Sequence, residues 1–180
     1  MNTKVTYHFL LFKQLDLFRN EVLEEVLRER INFYTTQNKQ QDFWVLTFPN
    51  FLKDKTILQK VSNTAYGVQH YDTLFPMGSK YPFMSAVIST NKEFINWLSL
   101  RAGFFENMDL SVSASPKGTE EQPSVTMGQN IIASNGLRGE ITIDPSKENN
   151  INPLSSSYYV HPTLMVERFK KALQYSYNLF

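Results

Sequence analysis

The sequence predicts a domain of mixed α and β structure, followed by a C-terminal extension that ends in a helix. Three observations carry this reading. Runs rich in Val, Tyr, Phe and Ile at 5–12, 42–48 and 85–89 have the composition of short strands. Segments 21–34 and 90–105 repeat apolar residues at helical spacing. From Glu106 onward the chain turns polar, with a Ser-, Pro- and Gly-rich stretch from Ser113 to Ser124 that reads as a linker. By itself, the alternation of strands and helices favours parallel crossovers.

The first strand, Val5 to Phe12, carries large apolar groups on both faces, which suits a central strand buried on two sides. His8 within it reads as a hydrogen-bonded core or rim residue. In the helix 21–34, Val22, Leu23, Val26, Leu27, Ile31 and Tyr34 form one stripe, with Asn20 as the N-cap. Glu24 precedes Arg28 by four residues, the favourable order for a surface pair. Glu21, Glu24 and Glu25 near the start, and Arg28 and Arg30 later, suit the helix dipole. The two arginines are either solvated or directed toward the loop leading to Asp42.

In the second strand, Val45, Leu46 and Phe48 suit a half-buried pleat, and Asp42 stands at its mouth after the polar run 37–41. An acid beside Phe43 and Trp44 admits two readings: core aromatics with a turn Asp, or an exposed protein-docking edge. Pro49 ends the strand because it cannot donate to the ladder. A weaker helix follows at 51–61, with Leu52, Ile57, Leu58 and Val61 on its apolar side. Segment 70–84 reads as irregular, broken by Pro76, Gly78 and Pro82. Its Tyr71, Leu74, Phe75, Met77, Tyr81, Phe83 and Met84 are expected to fold over the rim of the core.

Ser85 to Ser89 is the third strand. Thr90 with Glu93 forms a capping box for a helix running to about Phe105, with Phe94, Trp97, Leu98, Arg101 and Phe105 along one stripe. A charge inside an apolar stripe must snorkel, pair or face a partner, so Arg101 is either a rim residue or a docking residue. Glu140 to Ile143 could form a further short strand. Pro162 opens a last helix at 162–179, locally basic at Arg168, Lys170 and Lys171. That helix docks on the main domain, or binds a partner or a membrane surface.

Composition narrows the function. A chain of 180 residues suits one domain with an appendage, and 42% hydrophobic against 19% charged residues marks it as globular. A net charge of +1 gives no electrostatic footprint for nucleic acid. The absence of cysteine excludes disulfide scaffolds, thiol catalysis, cysteine-zinc sites and cysteine-ligated iron–sulfur clusters. No run approaches the roughly 18 apolar residues of a membrane span. Strand-like sequence from Val5 leaves no room for a signal or transit peptide, so the protein is expected to work where it is made. His8, His70 and His161 lack metal-ligand spacing. No Gly-rich phosphate loop, Gly-x-Ser-x-Gly elbow, His-Glu-x-x-His or di-iron Glu-x-x-His pattern occurs, so no catalytic residue, metal or cofactor is expected.

The run Glu21-Val22-Leu23-Glu24-Glu25-Val26-Leu27-Arg28-Glu29-Arg30 is followed by Asp42-Phe43-Trp44. Then come Val87-Ile88-Ser89-Thr90-Asn91 and Phe94-Ile95-Asn96-Trp97-Leu98-Ser99-Leu100-Arg101. In this order they resemble the hypothetical chloroplast reading frame fifty-four family of cyanobacteria and plastids. The likeness covers Val5 to Leu110. Segment 70–84 reads as an insertion, and 111–180 as an extension outside the family domain.

The resemblance implies an α+β fold, a small antiparallel sheet flanked by helices. It also implies a non-catalytic accessory subunit of the aerobic magnesium-protoporphyrin IX monomethyl ester cyclase of chlorophyll biosynthesis. Its partner is the catalytic di-iron chain, and any membrane association is peripheral, through that partner. The implied setting is the plastid stroma or thylakoid surface, or the cyanobacterial cytoplasm. The family's docking surface maps onto Asp42, Phe43 and Arg101, with Trp44 adjoining. The residues leave two other readings open: a soluble tetrapyrrole carrier with a pocket of Phe75, Tyr81, Phe83 and Trp97, or a small enzyme with a dispersed site. Deleting everything after Leu110 is expected to leave a folded core.

Overall fold

The computed structural model describes residues 3–108, 110, 134–147 and 151–156. The linker at 113–124 and the helix at 162–179 lie outside the described residues. Strands β1 (Val5–Lys13), β2 (Phe43–Leu46), β3 (Met84–Ser89), β4 (Phe105–Asn107) and β5 (Gly136–Ile143) form one sheet in the order β2-β3-β1-β5-β4. Every neighbouring pair is antiparallel except β4 with β5. The fold is α+β, as the family resemblance implies.

The alternation of strand and helix still has its consequence. Strand β1 leads through α1 (Gln14–Arg19) and α2 (Glu21–Thr36) to β2. Both β1 and β2 are antiparallel to β3, so they run in the same direction with β3 inserted between them. Likewise β3 leads through α6 (Lys92–Ala102) to β4, which runs the same way with β1 and β5 between. Each crossover skips neighbouring strands, and the antiparallel strand that fills the gap makes the sheet antiparallel.

Strand β1 is central because it is apolar on both faces. Leu10 and Phe12 face α1, α2 and α6, in a core with Phe43, Val45, Val87, Phe94 and Leu98. Phe9 and Leu11 face the other way, in a core with Leu46, Ala86, Ile88, Phe51 and Tyr66. That second face is covered by a 3₁₀ turn at Asn50–Lys53 and by α3 (Lys55–Asn63), α4 (Ala65–Gln69) and α5 (Tyr71–Leu74).

Local chemistry sets the helix ends. Asn20 caps α2, its side chain accepting from Leu23 N at 3.1 Å, and Arg28 Nε reaches Glu24 at 3.0 Å. The helix expected at 51–61 is interrupted, because Asp54 restarts it by accepting from Thr56 N and Ile57 N. The cap of α6 is Asn91 rather than Thr90. Ser89 Oγ holds Asn91 N, the Asn91 side chain accepts from Phe94 N, and Thr90 N is directed to Asp42 O. Segment 70–84, read as irregular, carries α5 and a 3₁₀ turn at Pro76–Gly78. It covers the rim as expected, burying Leu74, Phe75 and Met84, while Met77 stands fully in solvent at φ 55°.

A boundary at Leu110 does not follow the sheet. Strand β5, longer than the 140–143 strand the sequence suggested, pairs with β1 from Val5↔Ile143 to Leu11↔Leu137. Residues beyond 110 therefore supply a neighbour of the central strand. Gly136 permits this pairing, since a Cβ there would lie 2.1 Å from Leu11 O. A second tie is the bridge between Pro49 and Ser156.

Candidate functional site

Asp42 sits where α2, β2 and the start of α6 converge. Its carbonyl accepts from Thr90 N and from Ser89 Oγ, which fixes the mouth of β2 against the end of β3. Its carboxylate accepts from the Tyr34 hydroxyl at 2.5 Å. Tyr34 in turn accepts from Arg30 Nη2 at 2.8 Å. Arg30 and Tyr34 are four residues apart on α2, one turn along the same face.

The Arg30 guanidinium lies between two rings, 4.8 Å from the Tyr34 centroid and 4.3 Å from that of Phe94. Its Nε is buried and has no hydrogen-bond partner among the described residues. Burial raises the pKa of Tyr34, as does its hydrogen bond to Asp42, while Arg30 opposes both. The cation beside Asp42 is thus Arg30, relayed through Tyr34. A groove of about 530 Å³ opens beside this cluster, lined by Ile31, Tyr34, Lys39, Gln41 and Phe43 among others.

The expected docking residues do not form one constellation. Strand β2 is an edge strand, and Trp44 on it is half-buried against Tyr7, with ring centroids 6.2 Å apart. Phe43 is 0% exposed. It stacks on Tyr34 and packs on Phe94, so its ring is core and is not offered to a partner. Successive strand residues point to opposite faces, which sends Phe43 to the α2–α6 side and Trp44 to the other.

Arg101 is separated from Asp42. Asp42 touches the start of α6, whereas Arg101 lies in its last turn, ~13 Å further along the axis at 1.5 Å per residue. The buried side of α6 is Phe94, Ile95, Leu98, Ser99 and Ala102, and Arg101 falls on its flank in solvent. Phe94, two turns earlier, is buried between Phe43 and the Arg30 guanidinium.

Exposed apolar residues accompany Arg101. Trp97 is 43% exposed, Leu100 82% and Phe104 52%. Trp97, Leu100 and Arg101 lie on the outward side of α6, and Phe104 follows just past its end, beyond the Gly103 cap. The spacing of Leu100, off the apolar stripe, was the sequence signal for this surface. The pairing of Arg30 with Tyr34 was legible only as an i, i+4 coincidence.

The four aromatics of the carrier reading do not share a pocket: Tyr81 and Phe83 line one of about 210 Å³, but Phe75 and Trp97 are not part of it. Phe75 is buried among the residues of the α3–α5 face, and Phe83 packs on Phe48. Trp97 packs on Phe94, on the opposite side of the sheet. Among the described residues no three His, Asp or Glu side chains gather to hold a metal ion, and no helix is long and apolar enough to cross a membrane.

Comparison with known proteins agrees with the fold. The Ycf54 protein family matches residues 5–111. A relative from Porphyra purpurea, described as the uncharacterized protein ycf54, is 40% identical over 99 residues, 55% of this chain and 77% of its own. A solved structure of the All0216 protein from Nostoc sp. PCC 7120 has a TM-score of 0.52 at 25% identity, over 87% of this chain and 99% of that one. The solved Ycf54 protein of Synechocystis sp. PCC6803, with a TM-score of 0.51 at 24% identity over 87% of this chain and all of its own, shares the fold. The match at 5–111 spans more than half of the sequence and includes Asp42, Phe43, Trp44 and Arg101, so the chain belongs to the Ycf54 protein family.

Proposed function

We propose that this chain is a non-catalytic accessory subunit of the aerobic magnesium-protoporphyrin IX monomethyl ester cyclase, and that it binds the catalytic di-iron chain through the outward face of α6. The observation that carries this reading is that face: Trp97 and Leu100, with Phe104 just beyond the helix end, in solvent around an Arg101 that makes no hydrogen bond or ion pair to any described residue. Interface hot spots favour Trp, Tyr and Arg at the centre of a patch that excludes water. Family membership supports the reading, because the resemblance in sequence points to the same partner.

Relatives from red algal plastids and cyanobacteria set the cellular context. Within it the chain works at the stroma or thylakoid surface, or in the cyanobacterial cytoplasm, and reaches the membrane only through its partner. The test is affinity capture of the tagged chain from a chlorophyll-forming host. The catalytic chain is expected in the eluate of the native protein and strongly reduced in that of Arg101→Ala. Its absence from the native eluate would overturn the proposal.

A further inference from the structure

A cavity of about 330 Å³ opens along one edge of α6, bordered by β1, β5 and the end of β4. His8, Lys92, Asn96, Asn107, Arg138 and Glu140 line it. Arg138 spans it from β5, with Nε on Asn107 Oδ1 at 2.9 Å and Nη1 on Asn96 Oδ1 and Ser99 Oγ, each at 3.4 Å. A guanidinium only donates, so the two asparagines must turn their oxygens toward it. Their amide NH₂ groups are therefore directed away from Arg138, and the structure gives them no acceptor among the described residues. Arg138 Nη2 and the Lys92 ammonium also lack an acceptor or acidic partner there.

The acid of the cavity, Glu140, is already engaged, 3.3 Å from His8 Nδ1. Burial keeps the pKa of His8 below its ordinary value, with Glu140 opposing and Lys92 assisting. The cavity then holds two cations against one carboxylate, with four sets of unused donors.

We propose that this cavity binds a small monoanionic carboxylate, held by Arg138 and Lys92 and by the amide groups of Asn96 and Asn107. A carboxylate matches the four sets of unused donors and the surplus of one positive charge. The volume is within the range of small-molecule sites. The site is distinct from the docking face, since its residues come from β1, β4, β5 and the edge of α6 that carries Lys92 and Asn96, while Trp97, Leu100 and Arg101 are not among them.

The test is ¹H–¹⁵N NMR of the full chain titrated with acetate and with benzoate. Sodium chloride of equal ionic strength is the reference and inorganic phosphate the comparison. Either carboxylate is expected to shift the Arg138 Nε–H and the side-chain amides of Asn96 and Asn107, saturably. Lys92→Gln removes an ammonium with no partner among the described residues and should leave the fold intact. It should weaken binding about fivefold. Arg138→Gln should abolish binding, and the amide spectrum reports whether that variant remains folded. The proposal is overturned by shifts no larger than those of chloride, by phosphate binding in place of carboxylate, or by carboxylate binding that Lys92→Gln does not weaken.

Discussion

The Tyr34 hydroxyl donates to Asp42 at 2.5 Å and ties the last turns of α2 to the mouth of β2. Through this bond the acid that the sequence marks as unusual surface chemistry becomes part of a structural relay ending at Arg30.

Removing the hydroxyl with Tyr34→Phe leaves the Asp42 carboxylate and the Arg30 guanidinium each short of a partner. The expected loss is about 1–2 kcal/mol, since both groups retain some access to water. Urea unfolding of Tyr34→Phe, Asp42→Asn and the double variant measures it. The two losses should be less than additive, because either substitution breaks the same bond. Strict additivity would show that the relay contributes nothing.

Phe43 and Arg101 should separate stability from docking. Phe43→Ala empties a fully buried site and is expected to cost about 3–5 kcal/mol. Any loss of partner capture should then follow the loss of folded protein. Arg101→Ala should leave the melting temperature unchanged and weaken capture by around thirtyfold, about 2 kcal/mol. Trp97→Ala should behave likewise. If Arg101→Ala lowers the melting temperature strongly while capture per folded molecule is unchanged, the outer face of α6 is not the interface.

Strand β5 makes the region beyond 110 necessary to the sheet. A chain cut after Leu110 leaves one edge of β1 unpaired and uncovers Phe9 and Leu11. It is expected to lose cooperative thermal unfolding and to bind hydrophobic dyes. Gly136→Ala tests the same pairing in the full chain: a Cβ 2.1 Å from a backbone oxygen of the central strand should cost about 2–3 kcal/mol. A truncated chain that melts cooperatively at the native temperature would place the core before β5.

Stability should decline on both sides of neutrality. Burial raises the pKa of Tyr66 and of Tyr34 above the ordinary value of 10.0, with the Asp42 bond adding to the effect at Tyr34. Above that value the unfolded chain loses protons that the folded chain keeps, so stability falls as pH rises. Burial lowers the pKa of His8 and His70 below 6.5, so the unfolded chain gains protons first and stability falls as pH drops below that value. Chemical denaturation across pH should show both limbs. Tyr66→Phe should flatten the alkaline limb and His70→Gln the acid one.

Much of the architecture was legible in the residues. Two-sided apolar character placed β1 at the centre of the sheet, helical periodicity located α2 and α6, Asn20 caps as its position implies, and Glu24 pairs with Arg28 at the expected spacing although Glu24 is buried and not at the surface. These features depend on contacts within a few residues or on which faces of one element are apolar, and both are written locally in a chain. The family resemblance, carried by Asp42-Phe43-Trp44 and the helical runs around it, supplied the antiparallel sheet that alternation alone did not indicate.

Tertiary structure decided everything that depends on which segments meet. That β3 would slip between β1 and β2, and that β5 would come from beyond residue 110 to pair with β1, are long-range choices that no local pattern encodes. The same holds for the site. A one-residue alternation sends Phe43 into the core and Trp44 to the opposite face, and the length of α6 carries Arg101 away from Asp42. Arg30 becomes the cation of the Asp42 cluster because the packing of α2 against α6 brings it over Phe94.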